Sequence, residues 1–142
     1  MKRLKVVVAL VTILGLISVP ASAQASQCAS IEGRAILDFG VGVGTARLQV
    51  DGAQHVVPFY ATGFVTTGPN TADLRFVWEF DQGTLVVIEH STMTPVTATL
   101  LAFDSVVDIR TGGTGGMHWN GLANLAASTA RFSVTGEICF DR

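Results

Sequence analysis

The sequence predicts one exported all-β domain, a mostly antiparallel barrel of about eight strands, with a β-sandwich as the alternative. Three observations predict this class. Apolar and polar residues alternate with a period of two along most of the chain, which is typical of half-buried strands. Turn-forming residues separate these runs at the spacing of hairpin-connected strands. The two cysteines lie near the two ends of the predicted domain.

The first residues have the organisation of a signal peptide. Basic residues precede an uncharged apolar run (residues 6–19), which is shorter than the roughly 20 residues that a spanning helix needs. Ala21-Ser22-Ala23 has the small-x-small pattern that signal peptidase accepts. We therefore expect residues 1–23 to be removed after Ala23, leaving residues 24–142 as a secreted or periplasmic domain.

The predicted mature domain is acidic, since it contains six arginines and no lysine against eleven acidic residues. Without a basic stripe to neutralise phosphates, nucleic acid is a poor candidate partner. An acidic surface also disfavours contact with anionic lipid headgroups. We expect neither nucleic acid nor a membrane as a partner after cleavage.

The alternation is clearest in residues 45–51, 74–80 and 130–140, where apolar side chains fall on one face and mostly polar ones on the other. The single competitor for a helix is the short stretch 122–127. Turn signals divide the chain between the predicted strands, with Asp51-Gly52 as the strongest hairpin signal. In order, these turns are residues 51–52, 68–70, 81–83, 94–95, 112–116 and 127–128.

The two cysteines predict how the domain closes. In an exported chain, Cys28 and Cys139 most simply form one disulfide. The first and last strands of an up-and-down barrel are antiparallel neighbours, so the start of one meets the end of the other. We predict that the bridge joins these strands across the seam, although a sandwich could also bring the termini together.

No cofactor or metal motif is present in the sequence. The glycines of residues 40–45 and 112–121 lack the spacing of a dinucleotide or phosphate loop, and we interpret them as bulges, bends or close backbone approaches. His55, His90 and His118 are too far apart to form a recognised metal-binding motif. We therefore predict no cofactor and no metal.

Three ionisable residues are candidates for acid–base chemistry. Glu89 and His90 fall on opposite faces of one predicted strand, each with apolar neighbours, so one of them enters or approaches the barrel whichever face is inward. Asp104 also shares its face with apolar residues. A desolvated carboxyl or imidazole would suit catalysis. The alternative, which we favour, places these residues at strand ends, where polar groups reach the rim.

Aromatic residues predict either a ligand site or a packed core. An eight-stranded barrel is wide enough to fill itself with side chains or to hold one small ligand. Of these, the sequence favours the packed core. The candidate lining residues are Phe76, Trp78, Phe80, Trp119 and Phe132.

The run Thr111-Gly112-Gly113-Thr114-Gly115, with the glycine and strand pair that follow, resembles the late segment of allene-oxide-cyclase-like and dirigent-like barrels. Those families carry a Gly-Gly-Thr-Gly-x-Phe stretch and a further glycine before the closing hairpin. Here Met117 stands in place of the phenylalanine, and Gly121 falls one position early. The resemblance implies an eight-stranded barrel. It carries over no catalytic residue, since the active residues of those families match no positions here.

These observations lead to three hypotheses of function. The first is binding, either of a small apolar molecule in the lumen or of an extracellular partner through the loops. The second is a cyclase-like or isomerase-like enzyme that uses one buried acid or base. The third is a structural surface protein with a filled lumen. The absence of a catalytic motif favours binding over catalysis.

Overall fold

The structure is a computed structural model that describes residues 27–142, so the predicted signal peptide lies outside the described residues. This part of the chain contains eight strands and no helix. The strands form a closed antiparallel barrel in chain order, and β8 returns to pair with β1. The barrel is confirmed, and the sandwich alternative is wrong. The strands are β1 (Gln27–Asp38), β2 (Val43–Val50), β3 (Ala53–Gly68), β4 (Thr71–Phe80), β5 (Gly83–Pro95), β6 (Leu100–Thr111), β7 (Gly113–Asn124) and β8 (Thr129–Phe140).

The period-two alternation positions the core inside the barrel. In β2, every second residue from Gly44 to Val50 is buried and the residues between them are exposed. In β8, Ala130, Phe132 and Val134 are buried in the same way. Since successive side chains of a strand point to opposite faces, each strand contributes one row to the interior.

Asp51-Gly52 forms the predicted tight hairpin between β2 and β3. Both residues have positive φ, 49° and 81°, as the two central positions of a type I′ turn require. This turn has the right-handed twist of the strands that it joins. The expectation at this position is therefore confirmed.

Two other expectations are wrong. Residues 112–116 do not form a five-residue turn between strands, because β7 begins at Gly113 and pairs with β8 from its first residue. Residues 94–95 do not form the expected turn, because β5 continues to Pro95 and the turn follows at residues 96–99. Residues 122–127, the single competitor for a helix, form strand as far as Asn124 and then a turn. A side chain at Gly115 would place its Cβ 2.2 Å from the carbonyl oxygen of Glu137. Glycine in this region thus permits close approach of strands rather than a loop.

The seam of the barrel lies between β1 and β8, which pair from Gln27–Phe140 to Asp38–Thr129. Cys28 and Cys139 lie directly opposite each other in this register and form the predicted disulfide, 111 residues apart in the sequence. The disulfide indicates an oxidising compartment. Within residues 27–142, no helix is long and apolar enough to span a bilayer.

The two ends of the barrel differ in packing. At the closed end, which carries the disulfide and the turns 51–52 and 81–82, side chains fill the lumen. Trp78 stacks on Phe59 there with ring centroids 4.4 Å apart, and Phe80 meets Phe140 edge to face. The predicted packed core therefore describes this half of the barrel. The opposite half contains a cavity.

Candidate functional site

A cavity of about 640 Å³ occupies the half of the barrel opposite the disulfide. Its deepest lining residues are Phe76, Trp119 and Phe132, which form an aromatic floor above the packed half. Phe64 and Leu125 line the cavity and are themselves exposed to solvent, so the cavity opens at this end. We call this opening the mouth. The other lining residues are Leu37, Phe39, Gly42, Ala61, Thr62, Gly63, Leu74, Glu89, Ser91, Met93, Leu101, Phe103, Ala123 and Ala130.

The structure divides the five predicted lining residues by depth. Phe76, Trp119 and Phe132 line the cavity, and their rings contact one another at the floor. Trp78 and Phe80 lie below them in the packed half and do not reach the cavity. All five are buried. Their alternation placed them inside the barrel, and their height along its axis separates the two groups.

Glu89 lines the cavity in the middle of β5, opposite Leu74 of β4, and is only 5% exposed. Ser105 of β6 donates a hydrogen bond to its Oε1 at 2.6 Å, and the hydroxyl of Ser91 also bonds to the carboxyl group. Burial raises the pKa of Glu89 to about 7, while these two hydrogen bonds act in the opposite direction. Both protonation states are therefore populated near neutral pH.

Glu89, Ser91 and Ser105 are the buried carboxyl and hydroxyl side chains of the part of the chain that the structure describes, which also buries the indole N–H groups of Trp78 and Trp119 without a hydrogen-bond partner. Ser91 and Ser105 lie directly opposite each other across β5 and β6, and Glu89 is two residues from Ser91 on the same face. We call these three residues the polar cluster. Sequence reasoning identified Glu89 and missed both serines. The alternation of strand faces could have identified the two serines, since each lies on the inward-facing row of its strand once that row is known.

His90 points to the outer surface, opposite to Glu89. Its Nδ1–H donates to Asp73 at 2.8 Å, and its Nε2–H faces Asp108 at 3.3 Å. The hydrogen bond to Asp73 is the largest cause that raises the pKa of His90, and Asp108 adds to it. These contacts favour an imidazolium held between two carboxylates, away from the cavity.

Asp104 is also on the outer surface, where it accepts a hydrogen bond from His118 Nε2 at 2.7 Å. Of the three ionisable candidates, Glu89 alone lines the cavity. The interpretation that places all three at strand ends is wrong, because Glu89 and His90 lie near the middle of β5 and Asp104 lies within β6. Of the three, Glu89 alone is buried. The structure thus separates one interior acid from two surface residues that form hydrogen-bonded His–Asp contacts.

Potential metal ligands converge at one place among residues 27–142, where Cys28, Glu137 and Cys139 lie together. Both sulfur atoms are bonded to each other in the disulfide. The group therefore offers one carboxylate, whereas protein metal sites are typically built from three or four ligands.

No protein-family model, curated protein or solved structure matches this chain. The chemistry of the site is therefore interpreted from its own residues. The cavity offers apolar surface along its walls and one carboxyl group, that of Glu89 on β5. This carboxyl can accept hydrogen bonds, donate one when protonated, or transfer a proton near neutral pH.

Proposed function

We propose that this protein is a secreted or periplasmic binding protein that holds one small apolar molecule in its barrel, after removal of residues 1–23. The observation that carries this proposal is the apolar cavity of about 640 Å³ with one open end. Small-molecule sites commonly measure about 300–1,000 Å³ and combine apolar walls with a few polar groups. A structural role with a filled lumen accounts less well for this space.

The walls provide the driving force for such binding. Transfer of apolar surface out of water contributes about 25 cal/mol per Å². The cavity is bounded by hydrogen-bonded strands of a closed barrel, so binding needs little reorganisation of the backbone. Leu37, Leu74 and Phe103 supply large apolar surfaces between floor and mouth.

Filling the cavity with a side chain tests the proposal. Ala123 lines the cavity, whereas its neighbour Leu122 is exposed on the outer face of the same strand. We expect Ala123→Trp to weaken binding of the neutral fluorescent probe N-phenyl-naphthylamine by about tenfold or more, because the indole occupies the site. Leu122→Trp is the matched control and should bind like the wild type. Unchanged binding by Ala123→Trp would contradict a lumenal site.

Native mass spectrometry of the protein exported by its own host provides a complementary test. An occupied cavity should give extra mass that is lost on denaturation. The same spectrum checks cleavage after Ala23. A bare chain that also fails to bind the probe would argue for loop-mediated binding of an extracellular partner instead.

Acid–base catalysis of the cyclase or isomerase kind is the second candidate, and the position of Glu89 favours it specifically. A carboxyl group whose pKa is about 7 can both donate and accept a proton under ordinary conditions. The resemblance of residues 111–121 to allene-oxide-cyclase-like barrels adds the barrel shape to this candidate and no catalytic residue. If Glu89 is catalytic, Glu89→Gln should abolish turnover of a bound substrate while leaving the apolar walls able to bind it.

A further inference from the structure

The cavity has a steep gradient of polarity from floor to mouth. Glu89 is the lining residue of β5 that is farthest from the mouth, and Ser91 lies two residues nearer the mouth on the same face. The rest of the lining is apolar apart from Thr62 near the opening. No residue of the turns at the mouth is charged. These turns are residues 39–42, 69–70, 96–99 and 125–128. A bound molecule therefore meets the carboxyl group of Glu89 deep in the cavity.

The polar cluster accepts hydrogen bonds more readily than it donates them. A carboxylate has about four lone-pair sites, and the two serine hydroxyls occupy two of them. Both serines are already used as donors to Glu89. Among the described lining residues there is no lysine, arginine or histidine to balance a negative charge. An anionic head group would thus meet a carboxyl without a compensating cation.

We propose that the molecule held in this cavity carries a terminal hydrogen-bond donor, an alcohol or an amine, which enters first and binds Glu89 while the apolar remainder extends to the mouth. This inference rests on the proposed binding function and defines the class of its ligand. An alcohol donates one O–H to the free side of the carboxyl group. A protonated amine donates N–H and also forms a buried ion pair.

The binding of such a molecule depends on the protonation of Glu89 alone. The interior side chains nearest to it are Leu74 and Phe76 on β4 and Ser105 and Val107 on β6, and none of them carries a charge. The charged groups of these strands, Asp73, Arg75, Glu79, His90, Asp104, Asp108 and Arg110, lie on the outer row or at the surface. Burial raises the pKa of Glu89 to about 7, so donor binding should strengthen as pH rises through that value.

A series of dodecyl compounds with different head groups tests this inference by calorimetric titration. At about pH 8, we expect dodecanol and dodecylamine to bind about tenfold or more tightly than dodecyl methyl ether, which has no donor, and than dodecanoate. Lowering the pH to about 5 should weaken the amine most, because Glu89 is then neutral. Equal binding of alcohol, amine and ether would overturn the inference.

Glu89→Gln and Glu79→Gln form a matched pair of variants, since Glu79 is exposed on the outer face of β4. In Glu89→Gln, we expect dodecylamine to bind no more tightly than dodecyl methyl ether. The affinity of the ether should be unchanged, which would show that the cavity is intact. Glu79→Gln should change neither. Retention of the amine preference in Glu89→Gln would overturn the inference. Failure of every dodecyl compound to bind would instead refute the proposed function, so the two failures are distinguishable.

Discussion

At the scale of single residues, Gly44 shows how the interior depends on a missing side chain. It lies on the inward row of β2, and a Cβ added there would fall 2.2 Å from the ring of Phe59. Phe59 is fully buried and stacks on Trp78. The glycine therefore gives the ring the space that it occupies in the packed half of the barrel.

Substitution of Gly44 by alanine should destabilise the protein by about 1–3 kcal/mol, because the closely packed ring of Phe59 must shift. Urea unfolding measures this change. Gly63→Ala is a suitable control, since its Cβ would lie 3.6 Å from Arg75 Cβ, an ordinary contact. Equal stability of Gly44→Ala and Gly63→Ala would contradict the prediction, because it would mean that a Cβ at position 44 fits without a shift of the Phe59 ring.

Glu89 should make the stability of the protein depend on pH. Its pKa is raised from 4.5 to about 7 by burial, so between these values the folded state binds more protons than the unfolded state. The free energy of unfolding therefore falls as pH rises through this window, by about 3 kcal/mol for this group. Urea unfolding of the wild type and Glu89→Gln at about pH 5 and about pH 8 measures the difference.

The difference in unfolding free energy between the wild type and Glu89→Gln separates the effect of Glu89 from that of His90 on the surface. The pKa of His90 is raised by its aspartate partners, so its stabilisation is complete at low pH and is lost as pH rises through its folded value. This contribution is common to the wild type and to Glu89→Gln. Parallel pH profiles for these two proteins would contradict a strongly desolvated carboxyl, and Glu79→Gln should follow the wild type.

At the scale of strands, β3 is longer than its partner on one side. It pairs with β2 only as far as Val43–Tyr60, whereas its pairing with β4 continues to Gly68–Thr71 with register shifts after Ala61 and Thr66. Residues 62–68 of β3 thus have a strand partner on one edge only. This segment includes Thr62, Gly63 and Phe64 of the cavity mouth.

Amide hydrogen exchange should reveal this one-sided pairing. We expect alternate amides in residues 62–67 to exchange much faster than those in residues 74–78 of β4, because the backbone groups of residues 62–67 that point away from β4 have no neighbouring strand. Residues 74–78 pair with both β3 and β5 and serve as the internal comparison. Uniform protection through residue 67 would mean that another element covers this edge.

At the scale of the whole molecule, the barrel is closed both by hydrogen bonds and by one covalent bond. The β1–β8 ladder runs along the full seam, and the disulfide lies at the end away from the cavity. A cross-link that encloses 111 residues restricts the unfolded chain far more than the folded one. The disulfide should therefore act mainly on stability and not on the site.

The double substitution Cys28→Ser and Cys139→Ser should lower the free energy of unfolding by about 2–5 kcal/mol. Far-ultraviolet circular dichroism should still report a folded β protein, since the β1–β8 pairing remains. Binding of N-phenyl-naphthylamine to the folded variant should be unchanged. Loss of probe binding by a variant that is still folded would show that the seam and the cavity are coupled.

Sequence alone determined most of the strands and turns and the pairing of the two cysteines, because these depend on local alternation, on turn chemistry and on a single possible disulfide. The choice of a closed barrel over a sandwich came from the strand pairing. Parity also required that Glu89 and His90 point to opposite faces. The tertiary structure decided which of them is inside, because the inward row of β5 is fixed by its register with β4 and β6.

Only the tertiary structure divided the lumen into a packed half and a cavity. Trp78 and Phe76 are two residues apart on one face, yet one belongs to the core below and the other to the floor of the site. Their roles depend on height along the barrel axis, which arises from the stagger of all eight strands. Likewise, Ser91 and Ser105 reach Glu89 only through pairing between strands. Contacts across a closed barrel join residues distant in sequence, and local alternation carries no information about them.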